Sequence, residues 1–114
     1  MQNIFNFLAN PSRFRVFSEK SYPYTLFMMI ILICVGLWYS LFYSPPDYQQ
    51  GETVRIMYVH VPAAWMAMMV YLSMTIMSLF ALVWRHPLAD ILSKCSAPIG
   101  ASFTVIALVT GSIW

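Results

Sequence analysis

The amino-acid sequence predicts an all-α integral membrane protein, a bundle of three transmembrane helices. Of the 114 residues, 61% are apolar and 9% are charged, whereas soluble domains carry about 25% charged residues. Residues 24–43, 56–84 and 95–114 contain no Asp, Glu, Lys or Arg. Each stretch is long enough to cross a membrane, because about 20 helical residues span a hydrocarbon core of about 30 Å. A soluble fold, a disordered chain and a nucleic-acid-binding protein are therefore disfavoured.

The first predicted element is a transmembrane span over residues 24–43, after an N-terminal segment of residues 1–23. Its apolar stretch is longer than the h-region of a usual signal peptide, and no small-x-small cleavage pattern follows it, so we interpret it as a retained span. Residues 2–18 are a candidate amphipathic piece lying along the inner interface, interrupted by Pro11.

The second span, residues 56–84, follows a turn-rich loop of residues 44–55. Its helix has two candidate starts. It either begins near Ile56 and is kinked by Pro62, which cannot donate a helical hydrogen bond, or it begins at Pro62, because proline is favoured at the first helical position. A second loop, residues 85–94, leads to the third span, residues 95–114, and the whole chain is predicted to be one membrane domain.

The distribution of Lys and Arg predicts the orientation. The N-terminal segment has Arg13, Arg15 and Lys20, the first loop has Arg55 alone, and the second loop has two basic residues. Short basic segments stay in the cytoplasm. We therefore expect the N-terminus and residues 85–94 in the cytoplasm, and residues 44–55 in the periplasm or cell exterior.

His60 is the strongest candidate for a functional residue, because an ionisable side chain at membrane depth is costly. In either helix start it lies near the outer membrane surface. A single histidine cannot build a zinc site, which needs three or four ligands. A haem iron needs only one or two axial ligands from the protein. The ordinary alternative is a histidine that only forms a hydrogen bond at the interface.

The neighbours of His60 suit a flat apolar macrocycle, and each also has a simpler interpretation. Arg55 is a candidate partner for a haem propionate or an anchor among lipid headgroups. Tyr58 and Trp65 are candidates for contact with the ring. Small residues would admit a ring or form a helix-packing face; they are Ala63, Ala64 and Ala67.

Other candidates carry less weight. His86 is predicted to be a solvated loop histidine at the opposite end of the second span. No pair of nucleophile and base, phosphate-binding loop or pair of carboxylates is visible in the sequence, so we expect a protein that is not an enzyme.

Four stretches of the sequence together form a specific pattern. They are Pro46-Asp47-Tyr48-Gln49-Gln50-Gly51, the segment from Arg55 to Ala64 that contains His-Val-Pro-Ala-Ala, residues 97–101, and Ala107-Leu108-Val109-Thr110-Gly111-Ser112-Ile113-Trp114. These stretches resemble the cytochrome c maturation protein C (CcmC) family, also called haem exporter protein C. The resemblance covers nearly all of the chain after residue 24. It implies a haem-handling protein of the bacterial inner membrane, with six spans and a tryptophan-rich periplasmic loop.

The resemblance also implies a cargo, partners and site residues. The cargo is haem b, bound transiently and passed to the membrane-anchored haem chaperone CcmE, and the protein partners are the ABC-type subunits CcmA and CcmB and the small subunit CcmD. His60 matches the family's first axial histidine, and Arg55 and Trp114 join it as candidate haem-binding residues. We expect the chain to match the N-terminal half of the family, since Trp114 stands where the tryptophan-rich loop begins.

Two alternatives remain. In the first, the chain is a cofactor-free three-span structural subunit of a transporter complex that docks through small faces, Ala63/Ala67 and Gly100/Ser102/Thr104. In the second, it is a non-functional fragment. A haem b redox anchor is disfavoured, because His60 and His86 lie at opposite ends of the second span.

Overall fold

A computed structural model describes residues 10–114, and three long helices make up most of it. They are α1 (Pro11–Trp38), α2 (Val54–Trp84) and α3 (Pro87–Ile113), and a π-helical turn over Tyr39–Tyr43 continues α1. No β-strand occurs within residues 10–114. All three helices are long and apolar enough to cross a membrane. The all-α prediction with three candidate transmembrane helices is confirmed.

The helices extend beyond the predicted spans. α1 begins at Pro11, where the Asn10 side chain accepts a hydrogen bond from the Ser12 backbone N–H at 3.1 Å. α3 begins at Pro87, so only Arg85 and His86 of the expected loop 85–94 lie outside a helix. A transmembrane helix can continue beyond the membrane surface, because the turns outside the membrane are in water and can carry charged side chains. The membrane boundaries remain predictions, and residues 2–9 of the expected amphipathic piece lie outside the described residues.

The structure decides between the two candidate starts of the second helix, near Ile56 or at Pro62. The helix begins at Val54 and contains Pro62, so the expectation that it begins at Pro62 is wrong. His60 therefore lies within the helix, in its second turn. Proline lacks a backbone N–H, so the Tyr58 carbonyl loses its usual helical donor at this point.

The chain forms two compact units, Met1–Tyr43 and Ser44–Trp114. Within the first, α1 has no buried residue. Its C-terminal end carries two tilted ring contacts, Trp38 with Phe42 and Tyr39 with Tyr43. These aromatic residues agree in position with the interfacial belt expected at the end of a span.

The second unit is an antiparallel hairpin of α2 and α3. The connection is short because Arg85 adopts a left-handed conformation (φ 50°) directly after α2, and α3 starts two residues later. Two contacts show the direction: Ser78 is hydrogen-bonded to Ser93 at 2.9 Å, and His60 to Thr110 at 3.0 Å. We call the start of α2, the end of α3 and residues 44–53 the His60 end, and the opposite end the His86 end.

Small residues line the seam between the two helices. Ala63, Ala67, Ala89 and Gly100 are the buried residues of the hairpin helices. A Cβ at Gly100 would lie 3.0 Å from Val70 Cγ1, so α3 approaches α2 closely there. Small residues allow such an approach, and van der Waals packing is what holds helices together in lipid. Ala63 and Ala67 are therefore helix-packing residues within the hairpin, because their side chains are already buried there.

Candidate functional site

His60 is bound to α3 across the hairpin. Its Nδ1 lies 3.0 Å from Thr110 Oγ1, and the imidazole is half-buried. The two residues are 50 positions apart in sequence and meet because α2 and α3 are antiparallel. Inside a membrane protein such an interhelical hydrogen bond contributes about 0.6 kcal/mol. Its larger effect is to hold the ring in one orientation, since a rigid helix carries each partner.

Gly111 lets the imidazole lie directly on the α3 backbone. A Cβ added at Gly111 would come within 3.0 Å of His60 Cε1, 3.5 Å of Nδ1 and 3.9 Å of Nε2. Real Cβ atoms rarely come as close as the first of these distances, so any larger residue would displace the ring. Thr110 and Gly111 thus act on adjacent atoms of the same side chain. Of the two ring nitrogens, Nε2 is the one farther from Gly111.

The loop before α2 is fastened to the end of α3. Asp47 and Gly51 exchange backbone hydrogen bonds of 3.1 and 2.9 Å around a turn, for which Gly51 adopts a positive φ of 59°. From this turn Gln50 Oε1 accepts a hydrogen bond from Trp114 Nε1 at 3.1 Å. Trp114 therefore lies at the His60 end, and its indole N–H already has a protein partner.

Arg55 also lies at the His60 end, where it pairs with protein acceptors. Its Nε lies 2.9 Å from Glu52 Oε2, and it donates to the Ser44 carbonyl at 3.4 Å. The Glu52 side chain is 67% exposed, and ion pairs of this kind are weak, at about 0–1 kcal/mol. An incoming carboxylate would compete with Glu52 for the guanidinium.

The two aromatic neighbours predicted near His60 both have exposed rings. Tyr58 is 49% exposed and its hydroxyl accepts a hydrogen bond from Ser44 at 3.0 Å, and Trp65 is 62% exposed. Neither has a ring contact within residues 10–114. Their surfaces remain open to lipid or to a bound group.

The second histidine is far from this end. His86 precedes α3 as its N-cap and makes no capping hydrogen bond with its side chain. It comes two residues after Trp84, the last residue of α2. At 1.5 Å per residue, Trp84 lies roughly 36 Å along α2 from His60. The two imidazoles cannot bind one iron within this hairpin, in agreement with the sequence-based expectation.

Three residues of the site were not singled out from sequence: Thr110, Gly111 and Gln50. Each acts on a partner in another element, and the register between helices is not visible in a local pattern. One signal was present. If the second and third spans are antiparallel and similar in length, the residues opposite His60 lie near the end of the third span. Two small residues, Thr110 and Gly111, occupy that position.

The donor set of the His60 end fits a haem better than a bare metal ion. Within the described part of the chain, no three His, Cys, Asp or Glu side chains are grouped so as to hold a metal. One imidazole suffices for a haem iron, because the porphyrin supplies four nitrogens. With Nδ1 bound to Thr110, Nε2 is the nitrogen placed to act as ligand. Arg55 supplies the nearest cationic group in sequence for an anionic propionate.

Comparisons with known proteins agree on one family. The family described as "Heme exporter protein C" (CcmC) matches residues 4–114. The "Heme exporter protein C" of Bradyrhizobium diazoefficiens is 52% identical over 107 residues, which are 94% of this chain and 40% of that protein. That of Escherichia coli K12 is 41% identical, over 94% of this chain and 44% of the relative.

A eukaryotic relative gives the same result. The "Putative cytochrome c biosynthesis ccmC-like mitochondrial protein" of Marchantia polymorpha is 48% identical over 83 residues, 73% of this chain and 36% of its own length. No solved structure matches. The chain spans about two fifths of the length of these relatives. At these levels of identity over most of its length, the chain belongs to the heme exporter protein C family.

Proposed function

We propose that the protein handles haem for c-type cytochrome biogenesis, binding it at the periplasmic face of the inner membrane and presenting it to the membrane-anchored chaperone CcmE. The observation that carries the proposal is the arrangement of His60, which α3 holds through Thr110 and Gly111 at one end of the hairpin. The names of the relatives, which specify heme export and cytochrome c biosynthesis, support the choice of cargo.

The proposed cargo is haem b, held transiently with His60 as an axial ligand. When bound, the iron accepts a nitrogen lone pair along its axis, and the propionates carry negative charge. His60 would supply the lone pair from a half-buried position at one end of the hairpin, since a histidine must present an unprotonated ring nitrogen to bind a metal.

Two further residues are proposed to contact the cargo. Arg55 would bind a propionate in place of Glu52, at little cost because that ion pair is exposed and weak. Trp114 would offer its indole face while its N–H remains bonded to Gln50. Both lie at the His60 end, so the three candidate site residues share one end of one hairpin.

The orientation and the partners follow from the same proposal. The distribution of basic residues supports a cytoplasmic N-terminus and a periplasmic His60 end. In the inner membrane the chain would work with the ABC-type subunits CcmA and CcmB and with CcmD. The exporter name of the relatives favours transfer of haem rather than catalysis.

The test compares the two histidines of the chain. We expect haem that copurifies with the protein from membranes to fall to the background level in His60→Ala and to stay at the wild-type level in His86→Ala. The protein should be purified without a histidine tag, because a tag would itself bind haem. Equal haem in His60→Ala and wild type would remove the ligand assignment.

The same preparations decide the alternative of a cofactor-free structural subunit. That alternative predicts no Soret band in wild type and unchanged copurification of partner subunits in His60→Ala. Of the small faces that motivated it, Ala63, Ala67 and Gly100 are buried inside the hairpin, whereas Thr104 is half-buried and Ser102 is exposed. A Soret band that requires His60 would exclude it.

A further inference from the structure

We propose that Thr110 is a positioning residue for His60: its hydroxyl fixes the imidazole as the Nδ1–H tautomer and thereby presents the Nε2 lone pair to the iron. The inference rests on the proposed function for the identity of the ligand that Nε2 receives. The tautomer itself is a property of the protein without haem, and it can be measured separately.

The tautomer follows from where the hydroxyl proton goes. Thr110 Oγ1 lies 2.7 Å from the Ile106 carbonyl and 3.3 Å from the Ala107 carbonyl. A hydroxyl has one proton to donate, and a carbonyl oxygen only accepts, so the short contact with Ile106 uses that proton. Towards His60, at 3.0 Å, the oxygen is then the acceptor. Nδ1 must therefore be the donor.

A neutral imidazole carries one N–H, so protonation of Nδ1 leaves Nε2 with a lone pair. Nε2 makes no hydrogen bond with any residue in the range 10–114, whereas Nδ1 does. The ring packs on Gly111 with Nε2 as its farther nitrogen, at 3.9 Å from the Cβ position against 3.5 Å for Nδ1. The nitrogen with the lone pair is thus the one that no described residue hydrogen-bonds and that lies farther from the Gly111 Cβ position.

The arrangement has the form that metal-binding histidines usually take. A ligating histidine generally donates its other ring N–H to a fixed acceptor, and loss of that acceptor typically costs about 10–100-fold in metal affinity. Here the acceptor is fixed because its own proton is bonded to the backbone of the helix that carries it. Thr110 touches neither the iron nor the porphyrin in this scheme, so its effect is exerted entirely through His60.

The chain contains two internal controls for testing the role of Thr110, a second histidine and a second helical threonine. It has two histidines, and the side chain of His86 makes no capping hydrogen bond. Thr75, on α2, donates its hydroxyl to the Tyr71 carbonyl at 2.9 Å in the same way as Thr110 donates to Ile106. Thr75→Val therefore removes an equivalent helical hydroxyl without affecting His60, and it serves as the matched control for Thr110→Val.

The first experiment measures the tautomer by ¹⁵N NMR of haem-free protein labelled with [¹⁵N]histidine, without a tag, in lipid nanodiscs. We expect His60 to be Nδ1-protonated in wild type, in Thr110→Ser and in Thr75→Val, and to be a mixture of both tautomers in Thr110→Val. His86 should be the same in all four proteins. A wild-type His60 protonated mainly on Nε2 would overturn the inference without any variant, and so would an unchanged tautomer in Thr110→Val.

The second experiment titrates the same proteins with ferric protoporphyrin IX and follows the Soret band. Thr110→Val should bind roughly 10–100-fold more weakly than wild type, Thr110→Ser should recover most of the loss, and Thr75→Val should match wild type. Equal affinity in Thr110→Val and wild type would contradict a positioning role. If wild type binds no porphyrin, the proposed function fails, while the tautomer measurement still decides what Thr110 does to the ring.

Discussion

The two ends of the hairpin each carry a histidine, and the two histidines have different surroundings. At one end His60 is bonded to Thr110 and packed on Gly111. At the other, His86 precedes α3 in the short connection, and its side chain makes no capping bond. The end of α3 and the loop before α2 are further joined by the bond between Trp114 and Gln50. The comparison shows that a second helix fixes the ring of His60, whereas His86 lies in the connection between the two helices.

The difference is one of orientation more than of stability. A single interhelical hydrogen bond in a membrane is worth about 0.6 kcal/mol, which does little to hold two long helices together. Fixing a ligand before the metal arrives avoids the cost of ordering it on binding. The His60 end is therefore expected to be sensitive to changes that leave the rest of the hairpin intact.

Apart from the changes at His60 and Thr110 described above, the largest expected effect comes from Gly111→Ala. The new Cβ would lie 3.0 Å from His60 Cε1, so the ring must shift by a few tenths of an ångström, and we expect the shift to disturb its hydrogen bond to Thr110. We expect binding of ferric protoporphyrin IX to weaken roughly tenfold, by the mechanism that acts when a histidine's hydrogen-bond partner is lost. Gly36→Ala is the control, because no described atom lies within 4 Å of a Cβ there. Equal loss in both variants would show that the effect is not local to His60.

The next largest effect is expected from a change at the seam between α2 and α3, which should lower stability without changing porphyrin affinity. In Gly100→Ala the Cβ would lie 3.0 Å from Val70 Cγ1, and overpacking costs about 1–3 kcal/mol. Part of this cost is offset by the better helix propensity of alanine, about 1 kcal/mol. We expect a lower midpoint of thermal unfolding in detergent. Porphyrin affinity of the folded fraction should be unchanged, and a large loss of affinity would place the seam within the site.

A smaller effect is expected from Gln50→Ala, which releases the indole N–H of Trp114 from the loop. Loss of one ordinary hydrogen bond costs about 1 kcal/mol, which corresponds to about fivefold in an equilibrium constant, so binding should weaken by about fivefold or less. Tryptophan fluorescence of a variant that retains Trp114 alone among the four tryptophans would report the change as a shift of its emission. No shift would mean that the loop does not hold the indole in membranes.

The smallest effect is expected at the other end of the hairpin. Ser93→Ala removes the hydrogen bond to Ser78, 2.9 Å long in the structure, and should lower stability by about 0.6 kcal/mol. Porphyrin binding should not change. Weaker binding in Ser93→Ala, at the level seen for Gly111→Ala, would break the distinction between the two ends.

The sequence predicted three helices that are long and apolar enough to cross a membrane, because the absence of charge is a local property, and the structure has three such helices. It singled out His60 as a candidate from the cost of an ionisable group at membrane depth. The proposed roles of His60, Arg55 and Trp114, which lie at one end of the hairpin, stay predictions. The sequence did not decide whether α2 starts before Pro62, since a proline is tolerated both inside a membrane helix and at its start. It also missed Thr110 and Gly111, which were visible only as part of a family motif, because their roles depend on the register between α2 and α3.

The most direct test of the central claim is electron–nuclear double resonance on ferric haem bound to untagged protein labelled with [¹⁵N]histidine. Because the chain has only two histidines, any histidine ¹⁵N coupling to the iron arises from one of them. We predict a coupling that is present in wild type and in His86→Ala and is absent in His60→Ala. A coupling that persists in His60→Ala, or a bound ferric haem with no histidine nitrogen coupled to it in wild type, would contradict the account.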